Sequence, residues 1–122
     1  AVPHTVFLTP PLSTVGLTER EALASGREVL VARKPIAEIA TMPRPKIVGD
    51  TRGLMKVIID AVDDRILGAA LFCIDSQEVI NLLALAIRKG MTAAEIRDGI
   101  WIHPSTSEGL NQLLESPRRR SP

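Results

Sequence analysis

The residues best suited to chemistry lie near the end of the chain, in Ile102-His103-Pro104-Ser105-Thr106-Ser107-Glu108. Imidazole is the side chain best matched to proton transfer near neutral pH, and a carboxylate can fix its tautomer and stabilise its charged form. A histidine and a glutamate five residues apart meet if the chain turns into a helix between them. The same letters also have a structural reading. Ser105 and Glu108 are a capping box, the pattern repeated at Thr18/Glu21 and Thr92/Glu95. Spacing alone leaves both readings open. Other candidates are weaker: His4 is expected to be a solvated histidine near the start of the chain, and Cys73 falls in an apolar run where a buried, inert thiol is expected.

Composition bounds what these residues could serve. The 122 residues amount to one domain, able to bury roughly two-thirds of its unfolded surface. Hydrophobic residues make up 45% and charged residues 24%, an ordinary globular mix with no apolar run long enough to span a bilayer. One cysteine cannot form an internal disulfide, a redox CxxC or a zinc cluster, so the expected setting is reducing and cytoplasmic, with no metal site. No two of the eight glycines fall at GxGxxG or P-loop spacing, and no GxSxG elbow occurs. The chain is therefore not expected to hold a nucleotide by itself.

Net charge is +1, but without Arg118, Arg119 and Arg120 the body carries 12 basic against 14 acidic residues. With two Phe, one Trp and no Tyr, it offers few stacking platforms, and no nucleic-acid or membrane partner is expected. Ala1 to Phe7 lacks the basic and apolar regions of a signal peptide, and a start inside a strand-like segment suggests a piece of something longer.

The elements that must position His103 follow from patterning. Val6 to Leu8 reads as a strand closed by Pro10 and Pro11, after which the chain should turn. Thr18/Glu21 open a short helix stopped by Gly26, and Val29 to Val31 read as a strand. Prolines at 35, 43 and 45 allow at most one helical turn between 35 and 50. Met55–Val62 and Arg65–Ile74 read as a hairpin, with Gly68 marking a bulge or a close backbone approach. Asp75 and Glu78 cap the longest helix, Ser76 to Lys89, closed by Gly90. Its apolar residues exceed the stripe of a one-sided surface helix, so burial on two sides, one of them against another domain or a partner chain, is expected. A short helix after Thr92 and a last helix from about Thr106 to Leu114 complete an α+β domain of about four to five antiparallel strands with helices packed on the sheet.

In chain order, Val6-Phe7-Leu8-Thr9-Pro10 with Val15-Gly16-Leu17-Thr18-Glu19, then Arg65-Ile66-Leu67-Gly68-Ala69, then His103 to Glu108, resemble the landmarks of the C-terminal dimerisation domain of the pyridine nucleotide-disulfide oxidoreductases. The resemblance runs to about Leu114. Met42-Pro43-Arg44, Asp50 to Gly53 and Cys73 to Glu78 look most similar to a bacterial subgroup that includes the reactive-chlorine-resistance flavoprotein. Pro11 stands where the family commonly has an acidic residue, and Ser105 where it commonly has Thr.

The resemblance implies a dimerisation domain over residues 1–116 with a flexible basic tail at 117–122. It implies a homodimer in which His103 reaches the partner subunit's active site as acid/base, oriented by Glu108. His103 and Pro104 would border the flavin, and the His103–Pro104 bond is expected to be cis. The full-length enzyme would use FAD and NAD(P)H to reduce a disulfide, metal ion or quinone, and this piece alone would be inactive. Two alternatives of another class are a non-catalytic homodimerisation or adaptor module, and an arginine tail that binds anionic partners.

Overall fold

A computed structural model describes all of residues 1–122. Six strands form one antiparallel sheet in the order β1-β2-β5-β4-β3-β6: β1 His4–Val6, β2 Leu12–Gly16, β3 Val29–Pro35, β4 Leu54–Asp60, β5 Ile66–Phe72 and β6 Arg118–Arg120. The helices are α1 Glu19–Ala24, α2 Arg44–Val48, α3 Ser76–Arg88, α4 Ala93–Arg97 and α5 Gly109–Leu113, with a 3₁₀ turn at Ile36–Glu38. None is long and apolar enough to cross a membrane.

The α+β class and the β4–β5 hairpin match expectation, and the strand count exceeds it by one or two. One added strand is β2, placed where a turn is expected. Its alternation is hidden because the inward position before Val15 is Ser13, a polar residue that is nevertheless fully buried. Ser13 is admitted because its hydroxyl hydrogen-bonds the hydroxyls of Ser76 and Thr5, each at 2.8 Å. The first strand lies at His4–Val6, earlier than Val6 to Leu8, and Phe7 and Leu8 are exposed. Residues 35–50 also hold more structure than expected, a 3₁₀ turn and a five-residue helix.

The other added strand replaces the flexible tail. Arg118, Arg119 and Arg120 pair with Val31, Leu30 and Val29 of β3. Arg119 is ion-paired with Glu28 at 2.6 Å and Arg120 with Glu19. Two of the three guanidiniums are thus matched by acidic side chains of the same chain. That leaves little basis for an arginine tail reserved for anionic partners.

Gly68 combines both features that a strand glycine suggests. It faces Ile58, while the next pair is Ile59 with Ile66, so the ladder shifts register there. A β-carbon at Gly68 would also sit 1.9 Å from the Leu17 carbonyl oxygen, so β5 can approach that backbone only without a side chain.

The main core lies on one sheet face, where Val15, Met55, Val57, Ile59, Ala69 and Leu71 meet Val79, Ile80, Leu83 and Ala86 of α3. A smaller cluster under α1 joins Ala22, Val29, Val31 and Ile58 on the opposite face. Within the chain α3 is buried on one side, and Leu85 remains 50% exposed.

Candidate functional site

His103 lies in the connection between α4 and α5, which is held at both ends. On the entry side, the Asn111 amide nitrogen donates to the carbonyls of Arg97 at 2.8 Å and Gly99 at 2.9 Å. The Trp101 indole donates to the Ile96 carbonyl at 3.3 Å. On the exit side, the buried Thr106 hydroxyl donates to an Asp75 carboxylate oxygen at 2.8 Å. The His103–Pro104 bond is cis, as is Thr9–Pro10.

Between these anchors the two readings of the motif are satisfied together. The Ser105 backbone N–H donates to Glu108 Oε2 at 2.8 Å, and the Glu108 N–H donates to the Ser105 hydroxyl at 3.2 Å, which is the reciprocal capping box. The same carboxylate lies 2.9 Å from His103 Nδ1 through Oε1. The box closes a turn just ahead of α5, which begins at Gly109 rather than near Thr106. Capping and histidine orientation are therefore one arrangement.

Exposure divides the pair by role. The Glu108 side chain is 12% exposed and the His103 side chain 70% exposed, so a largely covered carboxylate holds a ring whose Nε2 edge is left without a partner. Burial opposes ionisation of Glu108, but the hydrogen bonds from His103 and the Ser105 N–H outweigh it and hold the carboxyl below its ordinary value. Glu108 is thus an anion at neutral pH. An anion at Nδ1 favours the tautomer with the proton there, which leaves Nε2 as the ring atom open to proton exchange.

The apolar surroundings of the ring are uncovered. Ile100 is 99% and Ile102 77% exposed, on either side of the half-buried Trp101. His4 sits exposed on the edge strand β1. Cys73 is fully buried; burial, with lesser contributions from the Asp75 and Asp50 charges, pushes its thiol up to about 12. Reactivity requires the thiolate, so the native protein is expected to resist iodoacetamide at pH 8 and to be modified at one site only once denatured. Mass spectrometry of the labelled protein checks this, and rapid labelling of the folded chain would contradict it.

Asp75 and Thr106 are the site residues that sequence reasoning misses. Asp75 reads as the cap of α3, but its carboxylate makes no cap hydrogen bond and instead takes the Thr106 hydroxyl. The pair is 31 residues apart, and nothing in local pattern couples such positions.

Residues 2–114 match the family described as pyridine nucleotide-disulphide oxidoreductase, dimerisation domain. The chain is 46% identical over 113 residues to the probable pyridine nucleotide-disulfide oxidoreductase RclA of Escherichia coli, covering 93% of this chain and 25% of that protein. It is 34% identical over 114 residues to mycothione reductase of Mycobacterium tuberculosis, covering 93% of this chain and 24% of the relative. The solved structure of RclA, titled a HOCl-induced flavoprotein disulfide reductase, superposes with a TM-score of 0.88 over 93% of this chain and 25% of that one. The fold recurs in LpdA of Mycobacterium tuberculosis at 21% identity, with a TM-score of 0.81 over 93% of this chain and 24% of that one. The chain thus spans about a quarter of the length of these relatives. By the family match and this identity, it belongs to the dimerisation-domain family of the pyridine nucleotide-disulphide oxidoreductases.

Proposed function

We infer that this domain dimerises an FAD-dependent, NAD(P)H-using disulfide reductase and delivers His103 to the partner subunit's active site as the proton carrier. The observation that carries this reading is the His103–Glu108 pair, an exposed ring held through Nδ1 by a largely covered carboxylate, with no partner at Nε2. The uncovered Ile100 and Ile102 beside it support a surface made to be covered by another body, since bulky apolar groups clustered at a polar site mark contact surfaces. The half-exposed Leu85 of α3 leaves a second apolar position open.

The residues fit a bordering role toward a flavin and not a holding one. No glycine-rich turn at a strand-to-helix junction is available to cradle a pyrophosphate, and the exposed His103–Pro104 edge is the part free to face the group. When bound, the flavin supplies the path by which electrons pass from nicotinamide to disulfide. What this chain does is move a proton. A thiolate of the enzyme attacks the substrate disulfide, the S–S bond breaks, and the leaving sulfur takes the proton held at His103 Nε2. Glu108 stabilises the imidazolium before that transfer and keeps Nδ1 protonated after it. Alone, the domain has neither thiol pair nor flavin and is inactive in this reading.

Delivery across the subunit boundary is tested by mixing two inactive forms of the full-length enzyme. One carries His103→Ala and the other has its redox cysteines changed to serine. If the histidine serves the partner, each mixed dimer holds one complete site and one site lacking both groups, and turnover returns to about half of the wild-type value per dimer. If it serves its own subunit, both sites stay incomplete and mixing restores nothing, which would refute the reading.

A further inference from the structure

The geometry points to Asp75 as a positioning residue for the His103 site, acting through Thr106; this rests on the reading of His103 as the acid/base group. Asp75 is one of two non-glycine residues with positive φ, at 60°, immediately before α3. A left-handed backbone is costly for most side chains and persists where surroundings over-determine it. Here the usual local return is missing, because the carboxylate at the start of α3 caps no N–H of its own helix. It points instead to the loop after His103, where it accepts from the Thr106 hydroxyl at 2.8 Å. Arg44 Nε stands 3.8 Å from the same Asp75 oxygen, so the charge is partly balanced from the α2 side.

Thr106 is placed to pass this constraint on. It is 3% exposed, three residues after His103 and two before Glu108, and its carbonyl accepts the Gly109 N–H at 3.2 Å. Fixing Thr106 fixes the turn that carries the Glu108 backbone, and so the point from which the carboxylate reaches His103 Nδ1. The entry side of the loop is tied by Asn111 to the carbonyls of Arg97 and Gly99. On the exit side the Thr106 hydroxyl joins the loop to α3, the longest helix, which packs on the sheet. Beyond that bond, the exit side is held by the turn's own hydrogen bonds and, further on, by α5, whose Leu110 and Leu113 are in the core and whose Gln112 accepts from Thr41. Proton transfer is sensitive to displacement of about 1 Å, so loosening this end should slow the proton-transfer step while leaving substrate affinity alone.

The test uses the full-length flavoenzyme, with dithiobis(nitrobenzoate) as the disulfide probe and turnover read well below the unfolding temperature. Asp75→Gly removes the carboxylate while keeping the left-handed backbone comfortable, and Thr106→Val removes the hydroxyl. Each is expected to lower kcat about tenfold with KM and flavin content unchanged. Asp75→Asn and Thr106→Ser keep an acceptor and a donor and should retain wild-type kcat. The Asp75→Gly/Thr106→Val double variant should be no slower than either single one, because both delete the same contact. Unchanged kcat in Asp75→Gly, equal losses in Asp75→Asn, or additive losses in the double variant would each overturn the assignment. His103→Ala separates this from the parent reading. If it too leaves turnover unchanged, the acid/base reading falls. If it slows turnover while Asp75→Gly does not, only the positioning role falls. In the His103→Ala background, Asp75→Gly should have no further effect on kcat.

Discussion

Replacing His103 with alanine in the full-length enzyme is expected to lower NAD(P)H-dependent turnover of a disulfide by about 10²- to 10⁴-fold, the usual contribution of a positioned acid/base group. The fold should survive, since the ring is 70% exposed and its side-chain hydrogen bonds run to Glu108. Substitutions at such surface positions usually change stability by about 0.5 kcal/mol or less. Flavin content and dimer mass should therefore match the wild type, so that lost activity reports chemistry. The sharper readout is the pH profile. Donation to the leaving sulfur requires a proton at Nε2, so any pH dependence that this proton donation imposes on turnover should vanish with His103. Turnover and profile both unchanged in the variant would show that the proton travels by another group.

Glu108→Gln is expected to cost about 10²-fold or more in kcat with KM little changed. The shape is preserved and the charge is not. The carboxylate serves two donors, His103 Nδ1 at 2.9 Å and the Ser105 N–H at 2.8 Å. An amide has one oxygen for the two. If that oxygen stays with Ser105, the amide N–H₂ faces Nδ1 and moves the ring proton to Nε2, the wrong tautomer. If it turns to His103, two donors oppose each other at Ser105. In either case the imidazolium loses its anion.

The same residue predicts an acid-sensitive stability. The Glu108 carboxyl titrates lower in the folded chain than in the unfolded one, so its contribution is fully present above the ordinary Glu value of about 4.3. It is lost as pH falls through the depressed folded value. Thermal melts of wild type and Glu108→Gln between pH 7 and pH 3 should converge toward the acid end. Parallel curves over that range would show that the charge does not stabilise the loop.

Much of this arrangement is legible in local pattern because local physics decides it. The capping boxes at Thr18/Glu21 and Thr92/Glu95 form as written, each with both reciprocal hydrogen bonds, since every participating atom lies within one turn. The hairpin of β4 and β5 and the helix from Ser76 follow from runs whose period matches their secondary structure. The Ser105/Glu108 box and the His103–Glu108 contact are five residues deep at most, so one short turn produces both.

What fails to show is decided by neighbours distant in sequence. Strand β2 hides behind Ser13, whose burial is permitted by Ser76, 63 residues away. Strand β6 reads as a solvated arginine run because its partners, the edge of β3 and the carboxylates of Glu19 and Glu28, come from the first third of the chain. The breadth of the apolar face on α3 is visible in sequence, but which side turns to the sheet is set by packing. Sequence alone determined the α+β class, the starts of α1, α3 and α4 and the candidate His103–Glu108 pair, because each depends on residues within a turn or a strand of one another. Only the tertiary structure decided that the carboxylate is largely covered while the ring is exposed, and that the Asp75 carboxylate leaves its own helix uncapped to hold Thr106. Burial and hydrogen-bond partners 31 residues apart are products of packing, and no short window of residues contains both ends of such a contact.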